Sequence, residues 1–146
     1  MSVRQHPRPR PFRGERLRAL VRQALARLPA AAADVRVLVV GDDEMARWNR
    51  EFLGRGGTTN VIAFPEEAPG EAPADTIAGD ILVSAPTCLA QTREWPGTPE
   101  ERVFYFILHG MLHLAGYDHG KGTAEARRMR RREAELYGAV VGPGRT

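Results

Sequence analysis

The feature that most constrains the fold is an apolar segment that begins with strong helix signals. Thr98 is followed three residues later by Glu101, which forms a capping-box pattern, and Pro99 takes the first helical position. The body of the segment, 103–108, is apolar on every side, and such a helix needs burial on every side. Gly116 is the expected end of the helix. The sequence therefore predicts a long helix buried at the centre of the domain.

The rest of the chain alternates between strand and helix patterns. Strands are predicted at 35–40, 60–64 and 80–84, and further helices at 14–28, 42–52, 86–93 and 123–137. Asp42 or Asp43 is the predicted N-cap of the second helix, and Gly138 the predicted end of the last. Two alternatives stay open for the start of the chain: an edge strand over Ser2–His6, or a frayed basic leader over residues 1–12.

This interleaving predicts one α+β domain spanning residues 1–146. We expect a small mixed sheet of three to four strands with helices on both sides, about five helices in all, and the buried helix at its centre. A chain of this length buries a core without disulfides, and Cys88 is the only cysteine, expected to be buried. No signal-peptide pattern and no apolar run long enough to span a bilayer are present, so a cytoplasmic protein is expected.

Charge is unevenly distributed along the chain. Residues 1–27 hold eight arginines and one acid, residues 42–101 hold twelve acids and four arginines, and five arginines lie within 127–132. Basic segments at both ends allow contact with a phosphate backbone. They are equally typical of a solvated surface, so charge alone does not establish a nucleic-acid partner.

Three of the four histidines are concentrated around the end of the buried helix. His109 and His113 are four residues apart and project from one helix face, and Gly116 lets the chain turn so that His119 approaches as a third ligand. This spacing, H-x-x-x-H-x-x-G-x-x-H, is the spacing of metzincin metalloproteases. It predicts a transition-metal site with three imidazole ligands.

Three protein ligands leave one coordination position open, which is typical of a catalytic site, and zinc is the favoured ion among those that imidazole binds. Zinc peptidases with this spacing carry a glutamate directly after the first histidine as the general base. Here that residue is Gly110, which disfavours a peptidase. A phosphodiester has less need of this base, because a metal stabilises charge and activates the nucleophile together.

The segment 109–119, read as H-G-x-L-H-L-x-G-Y-D-H, resembles the motif of the YbeY family of bacterial endoribonucleases at every fixed position. The resemblance extends to 59–65, to 79–81 with Ser84, and to Met129 and Glu133, and so covers about residues 35–138. It implies a metal-dependent enzyme that acts in ribosomal RNA maturation on the small ribosomal subunit.

The resemblance also implies roles for individual residues. It makes His109, His113 and His119 the zinc ligands. Many family members carry an arginine six residues before the motif threonine. Leu53 stands at that position here, and Arg55 is the nearest basic substitute, a candidate for phosphate binding.

Three further residues have open alternatives. Asp118 either orients a ligand imidazole or a water, or ends the turn. Asp80 either faces the cleft or pairs with an arginine. Asn60 either binds a nucleotide or begins a strand.

The predicted function is a zinc-dependent, single-strand-specific endoribonuclease for ribosomal RNA maturation and ribosome quality control. Two alternatives are a metallopeptidase and a non-catalytic, zinc-containing ribosome-binding protein.

Overall fold

A computed structural model describes residues 1–68, 71, 75–117 and 122–142. These residues form four strands and five helices, as the sequence predicted. The strands are β1 (Ser2–Gln5), β2 (Ala32–Val40), β3 (Val61–Pro65) and β4 (Thr76–Ser84). The helices are α1 (Gly14–Ala26), α2 (Asp42–Leu53), α3 (Ala85–Gln91), α4 (Pro99–Leu114) and α5 (Thr123–Val141). In the described ranges, no helix is long and apolar enough to cross a membrane.

The four strands form one mixed sheet in the order β1-β2-β4-β3. β1 and β4 each pair with β2 in parallel, and β3 pairs with β4 antiparallel. The β2–β4 ladder runs from Ala32 opposite Thr76 to Val40 opposite Ser84, so both strands are nine residues long. The sequence predicted only the apolar part of each strand. Polar residues such as Asp34 and Thr76 extend the strands because β2 and β4 pair along their full length, which no hydrophobic pattern reveals.

Alternate residues divide the sheet into two faces. The inner face carries Val35, Val37, Val39, Val61, Ala63, Ile77, Ile81 and Val83, which join the main core with α1 and α4. The outer face carries Leu38, Val40, Ile62, Phe64 and Leu82, which pack with Met45 and Trp48 of α2. Helices therefore lie on both sides of the sheet, as predicted.

Helix α4 lies at the centre of the molecule against β3 and β4. Its capping box is formed: Thr98 Oγ1 accepts from the Glu101 N–H at 3.1 Å, and Glu101 Oε1 accepts from the Thr98 N–H at 2.8 Å. Most of the helix is buried, from Val103 to Leu114, apart from part-exposed positions that include both histidines. The central buried helix is therefore confirmed.

Two predicted helix boundaries are wrong. Helix α5 continues through Gly138 to Val141, since this glycine has a helical neighbour on each side and no need of a left-handed conformation. The N-cap of α2 is Gly41, and neither aspartate caps the helix. Asp42 instead accepts hydrogen bonds from the hydroxyls of Ser84 and Thr87, both at 2.6 Å, and tertiary contacts have replaced the local cap.

The start of the chain is an ordered part of the sheet. Gln5 Nε2 donates to the Phe12 carbonyl at 2.9 Å, and Gln5 Oε1 accepts from the Phe12 N–H at 3.0 Å. Phe12 is buried in the main core. Of the two alternatives for this segment, the edge strand is confirmed.

Candidate metal centre and active site

Helix α4 brings His109 and His113 together on one face. Their Nε2 atoms are 3.2 Å apart, and their rings lie 4.8 Å apart at an angle of 77°. Both side chains are part-exposed on an otherwise apolar helix. The i,i+4 spacing predicted this pairing, and the structure confirms it.

A buried carboxylate of helix α5 holds the first histidine. Glu133 Oε2 lies 2.7 Å from His109 Nδ1, and the Glu133 side chain is only 5% exposed. An ionised carboxylate only accepts hydrogen bonds, so the proton of this contact lies on Nδ1. With a proton on Nδ1, the metal-binding lone pair of an imidazole is on Nε2, the atom that faces His113. This is the arrangement in which proteins present histidine to a metal.

Tyr105 completes this cluster from one turn earlier on α4. Its hydroxyl donates to the second carboxylate oxygen, Oε1, of Glu133. Burial, and then the hydrogen bond to Glu133, raise the pKa of Tyr105 above its usual range, so the phenol stays protonated and remains a donor. We call Tyr105, His109, His113 and Glu133 the histidine–carboxylate cluster. Both oxygens of its buried carboxylate have a partner.

The sequence interpretation gave no role to Tyr105 and cited Glu133 only as part of the family resemblance. The signal for the tyrosine was available, because residues 105, 109 and 113 recur every four residues on one helix face. The signal for Glu133 was weaker. It is an acid on the apolar stripe of α5, between Met129 and Leu136, where a buried carboxylate needs a partner.

The two nitrogen atoms fit a tetrahedral metal ion. Ligands at about 2.0–2.1 Å from a tetrahedral zinc are about 3.3 Å from each other, and the observed separation between the Nε2 atoms is 3.2 Å. The same separation permits a hydrogen bond between the rings. The described ranges contain no group of three ligating side chains. The predicted third ligand, His119, and Asp118 lie outside the described residues.

The turn that leads toward His119 begins as predicted. Gly116 has φ of +98°, a conformation that favours glycine, and its N–H donates to the His113 carbonyl at 3.0 Å. The Tyr117 N–H donates to the Leu112 carbonyl at 3.0 Å. These bonds end the helix directly after the second histidine.

Gly110 is the point at which α4 approaches the sheet. A Cβ built on this glycine would lie 2.9 Å from Cγ2 of Ile81 on the inner face. A glutamate there would therefore require Ile81 or the helix to shift. The geometry thus supplies a steric reason for the missing peptidase base.

A cavity of about 330 Å³ opens beside the histidine–carboxylate cluster. Its walls come from the start of β3, from α4 and from α5. The lining residues are Asn60, Val61, Tyr105, Phe106, His109, Ala126, Met129, Arg130 and Glu133. Asn60 therefore faces the candidate site, and its Nδ2 donates to Gln91 Oε1 at 3.0 Å. Arg130 also lines the cavity, although the sequence interpretation did not single it out from its arginine-rich helix.

Two other predicted candidates lie elsewhere. Arg55 follows α2 in an exposed loop and does not line this cavity; its predicted role in phosphate binding stays a prediction. Leu53, at the position of the family arginine, is 44% exposed at the end of α2. Asp80 accepts from Arg36 Nε at 2.8 Å on the outer face, so of its two alternatives the arginine pair is the one observed.

Comparisons with known proteins place the chain in a family. The family model for endoribonuclease YbeY matches residues 5–140. Endoribonuclease YbeY of Geobacter metallireducens is 34% identical over 147 residues, covering 99% of this chain and 97% of the relative. The enzyme of the same name from Anaeromyxobacter sp. is 39% identical over 140 residues, covering 93% and 70%.

The fold has a counterpart among solved structures. The solution structure of a Thermotoga maritima protein aligns with a TM-score of 0.68 at 24% sequence identity, covering 97% of this chain and 89% of that one. This likeness supports the α+β fold alone. The sequence relatives and the family match carry the assignment: the chain belongs to the endoribonuclease YbeY family, a family of nucleases.

Proposed function

We propose that this chain is a zinc-dependent endoribonuclease that cuts single-stranded RNA, acting in the cytoplasm on ribosomal RNA of the small subunit during maturation and quality control. The observation that carries the proposal is the histidine pair of α4, with Nε2 atoms 3.2 Å apart and Glu133 fixing the first ring, at the wall of an open cavity. Membership in the endoribonuclease YbeY family supports RNA as the substrate.

The proposed ligands are His109, His113 and His119. When bound, zinc supplies Lewis-acid chemistry that stabilises charge on a phosphodiester and lowers the pKa of water. Histidine suits this ion because neutral imidazole is a preferred zinc ligand, and three such ligands would leave one position open.

The protein's own side chains orient the site. Glu133 keeps the proton of His109 on Nδ1 and fixes the plane of the ring. Tyr105 donates to the same carboxylate and holds it in place. The sequence supplies two further candidates: Arg55, the nearest basic residue to Leu53, for a substrate phosphate, and Asp118 for orienting a ligand imidazole or a water.

Two nucleophiles are compatible with this arrangement, and their products differ. Attack by the 2′-hydroxyl of the RNA breaks the bond to the 5′-oxygen and leaves a 2′,3′-cyclic phosphate and a 5′-hydroxyl. Attack by water leaves no cyclic phosphate and does not require the 2′-hydroxyl. Analysis of the product ends, together with a DNA strand of the same sequence, therefore identifies the nucleophile.

The test is cleavage of a ribosomal RNA fragment by zinc-loaded wild-type protein and by His113→Ala, purified in parallel to control for contaminating ribonuclease. We expect cutting by the wild type and none by the variant. Equal cutting by both would place the activity outside the histidine site. Tight RNA binding by a zinc-loaded wild type that does not cut would favour the non-catalytic ribosome-binding protein, and peptide turnover lost in His113→Ala would favour the peptidase.

A further inference from the structure

Among the described residues that line the cavity beside the histidine–carboxylate cluster, Arg130 is the one arginine. Arg130 lies on the stripe of α5 formed by Ala126, Met129, Arg130 and Glu133, which recur at three- and four-residue spacing and face the same cavity. The residue three positions later on this stripe is the carboxylate that holds His109. Helix α5 therefore places an arginine and the histidine-fixing carboxylate at the wall of one cavity.

The other arginines of this helix face elsewhere or are occupied. Arg128 lies 4.6 Å from the ring of Tyr117 and 3.5 Å from a carboxylate oxygen of Glu125. Arg132 pairs with Glu135 at 3.3 Å and donates to the carbonyl of Arg27 at 3.0 Å. Arg127 and Arg131 are exposed and do not line the cavity. Position 130 is the place in the arginine run from which a side chain reaches the site.

The guanidinium of Arg130 is available to a ligand. Within the described ranges, it makes no ion pair with a carboxylate. Glu133, the acid nearest along the stripe, already accepts from Tyr105 and His109 through its two oxygens. A guanidinium binds phosphate through two parallel N–H donors, and near an open metal position it suits the anion that a nuclease must hold.

We propose that Arg130, rather than Arg55, binds the phosphate that is cut, from the α5 wall of the cavity. This inference rests on the proposed ribonuclease function and adds a substrate-binding residue to it. It also explains how the site tolerates Leu53 at the position of the family arginine, because a cation reaches the cavity from another element.

The test compares Arg130→Ala with Arg131→Ala, which removes the same charge from the next residue on the helix. Each variant is assayed for single-turnover cleavage of a single-stranded RNA and for binding of a 2′-O-methyl version of that RNA over a range of salt. We expect Arg130→Ala to lower the cleavage rate about 10- to 100-fold. The slope of the logarithm of the binding constant against the logarithm of the salt concentration should also become shallower, by the amount expected for about one lost phosphate contact. Arg131→Ala should lower the cleavage rate and RNA binding only slightly, because it removes one positive charge from the surface without removing a contact in the cavity.

Two further variants sharpen the assignment. Arg130→Lys keeps the charge but loses the two-point geometry, so its rate should fall between wild type and Arg130→Ala. Zinc affinity and melting temperature should stay at wild-type values in both, since the Arg130 side chain is exposed. A loss of either would indicate a structural role and overturn the proposal.

The remaining outcomes separate this inference from the proposed function. If His113→Ala abolishes cutting while Arg130→Ala cuts like Arg131→Ala, the ribonuclease stands and the role of Arg130 is wrong. A larger loss in Arg55→Ala than in Arg130→Ala would assign the phosphate to Arg55. If wild-type protein neither cuts nor binds single-stranded RNA, the proposed function fails and this inference fails with it.

Discussion

The two faces of the sheet each carry charged residues, and they use them differently. Behind the inner face, a carboxylate that is 5% exposed holds a histidine and a tyrosine beside a cavity. On the outer face, Arg36 pairs with Asp34 at 2.7 Å, Asp80 at 2.8 Å and Glu66 at 3.4 Å. Each of those three acids is about half exposed.

The difference lies in the cost of burial. A buried carboxylate needs complete hydrogen bonding, so Glu133 fixes the geometry of the groups around it. Exposed ion pairs are screened by water and do little to fix the positions of their side chains. We therefore expect the catalytic chemistry at the buried histidine–carboxylate cluster rather than at the larger group of charged residues on the outer face.

The largest effect is expected from removing the charge of Glu133. Glu133→Gln keeps the shape of the side chain but weakens its hold on His109, and we expect RNA cleavage to fall about 10- to 100-fold. Asp80→Asn is the matched change on the outer face and should leave cleavage unchanged. The measurement is the cleavage rate of both variants, with circular dichroism to confirm that they fold. Equal rates in the two variants would contradict a special role for the buried carboxylate.

The next effect concerns the contact between α4 and the inner face. In Gly110→Ala, the new Cβ meets Ile81, and overpacking of about 1–3 kcal/mol outweighs a gain of at most about 1 kcal/mol in helix propensity. We expect the free energy of unfolding to fall by about 1 kcal/mol. Gly138→Ala is the control, because no neighbour among the described residues lies within 4 Å of its added Cβ, and it should stabilise the protein. Urea unfolding measures both, and a stabilised Gly110→Ala would contradict the packing.

A smaller, pH-dependent effect on stability is expected at Asp42, at the start of α2. Hydrogen bonds from Ser84 and then Thr87 lower the pKa of Asp42 below its usual value. A carboxyl with a lowered folded pKa stabilises the protein above its unfolded pKa, about 3.9, and loses that contribution as pH falls through the folded pKa. Melting temperatures should therefore show wild type above Asp42→Asn at pH 7, with the gap closing in acid.

Asp43→Asn is the control for that measurement, since Asp43 is exposed on the same turn of α2. Its melting curve should follow the wild type at every pH. A gap between wild type and Asp42→Asn that stays constant into acid would show that the hydroxyl bonds do not depend on the charge.

The smallest effect is expected at Arg36. Arg36→Gln breaks all three exposed ion pairs, yet its urea midpoint should be hard to distinguish from that of the wild type, at low salt as well as at high salt. RNA cleavage should not change. A destabilisation as large as that of Gly110→Ala would mean that the outer-face charges are a structural network after all.

Local patterns were sufficient to predict much of the fold and the pairing of two histidines on α4. The capping box, the apolar body of α4 and the i,i+4 histidines act within a few turns, and each was confirmed. Contacts between distant segments were harder to foresee. Glu133 contacts His109 because α5 packs on α4. Asp42 does not cap α2 and instead accepts hydrogen bonds from hydroxyl groups of β4 and α3.

The same limit explains Arg130. Five arginines in six positions look alike in sequence, and only the rotation of α5 against α4 decides which one faces the cavity. Arg55 is predicted from its nearness to Leu53 along the chain, and its role in phosphate binding stays a prediction.

The most direct test of the central claim is a calorimetric titration of metal-free protein with zinc, for the wild type and for His109→Ala. We expect a single tight site per chain in the wild type and its loss in the variant. Equal zinc binding by both proteins, or no tight binding by a folded wild type, would contradict the claim that the histidine pair of α4 is a metal centre.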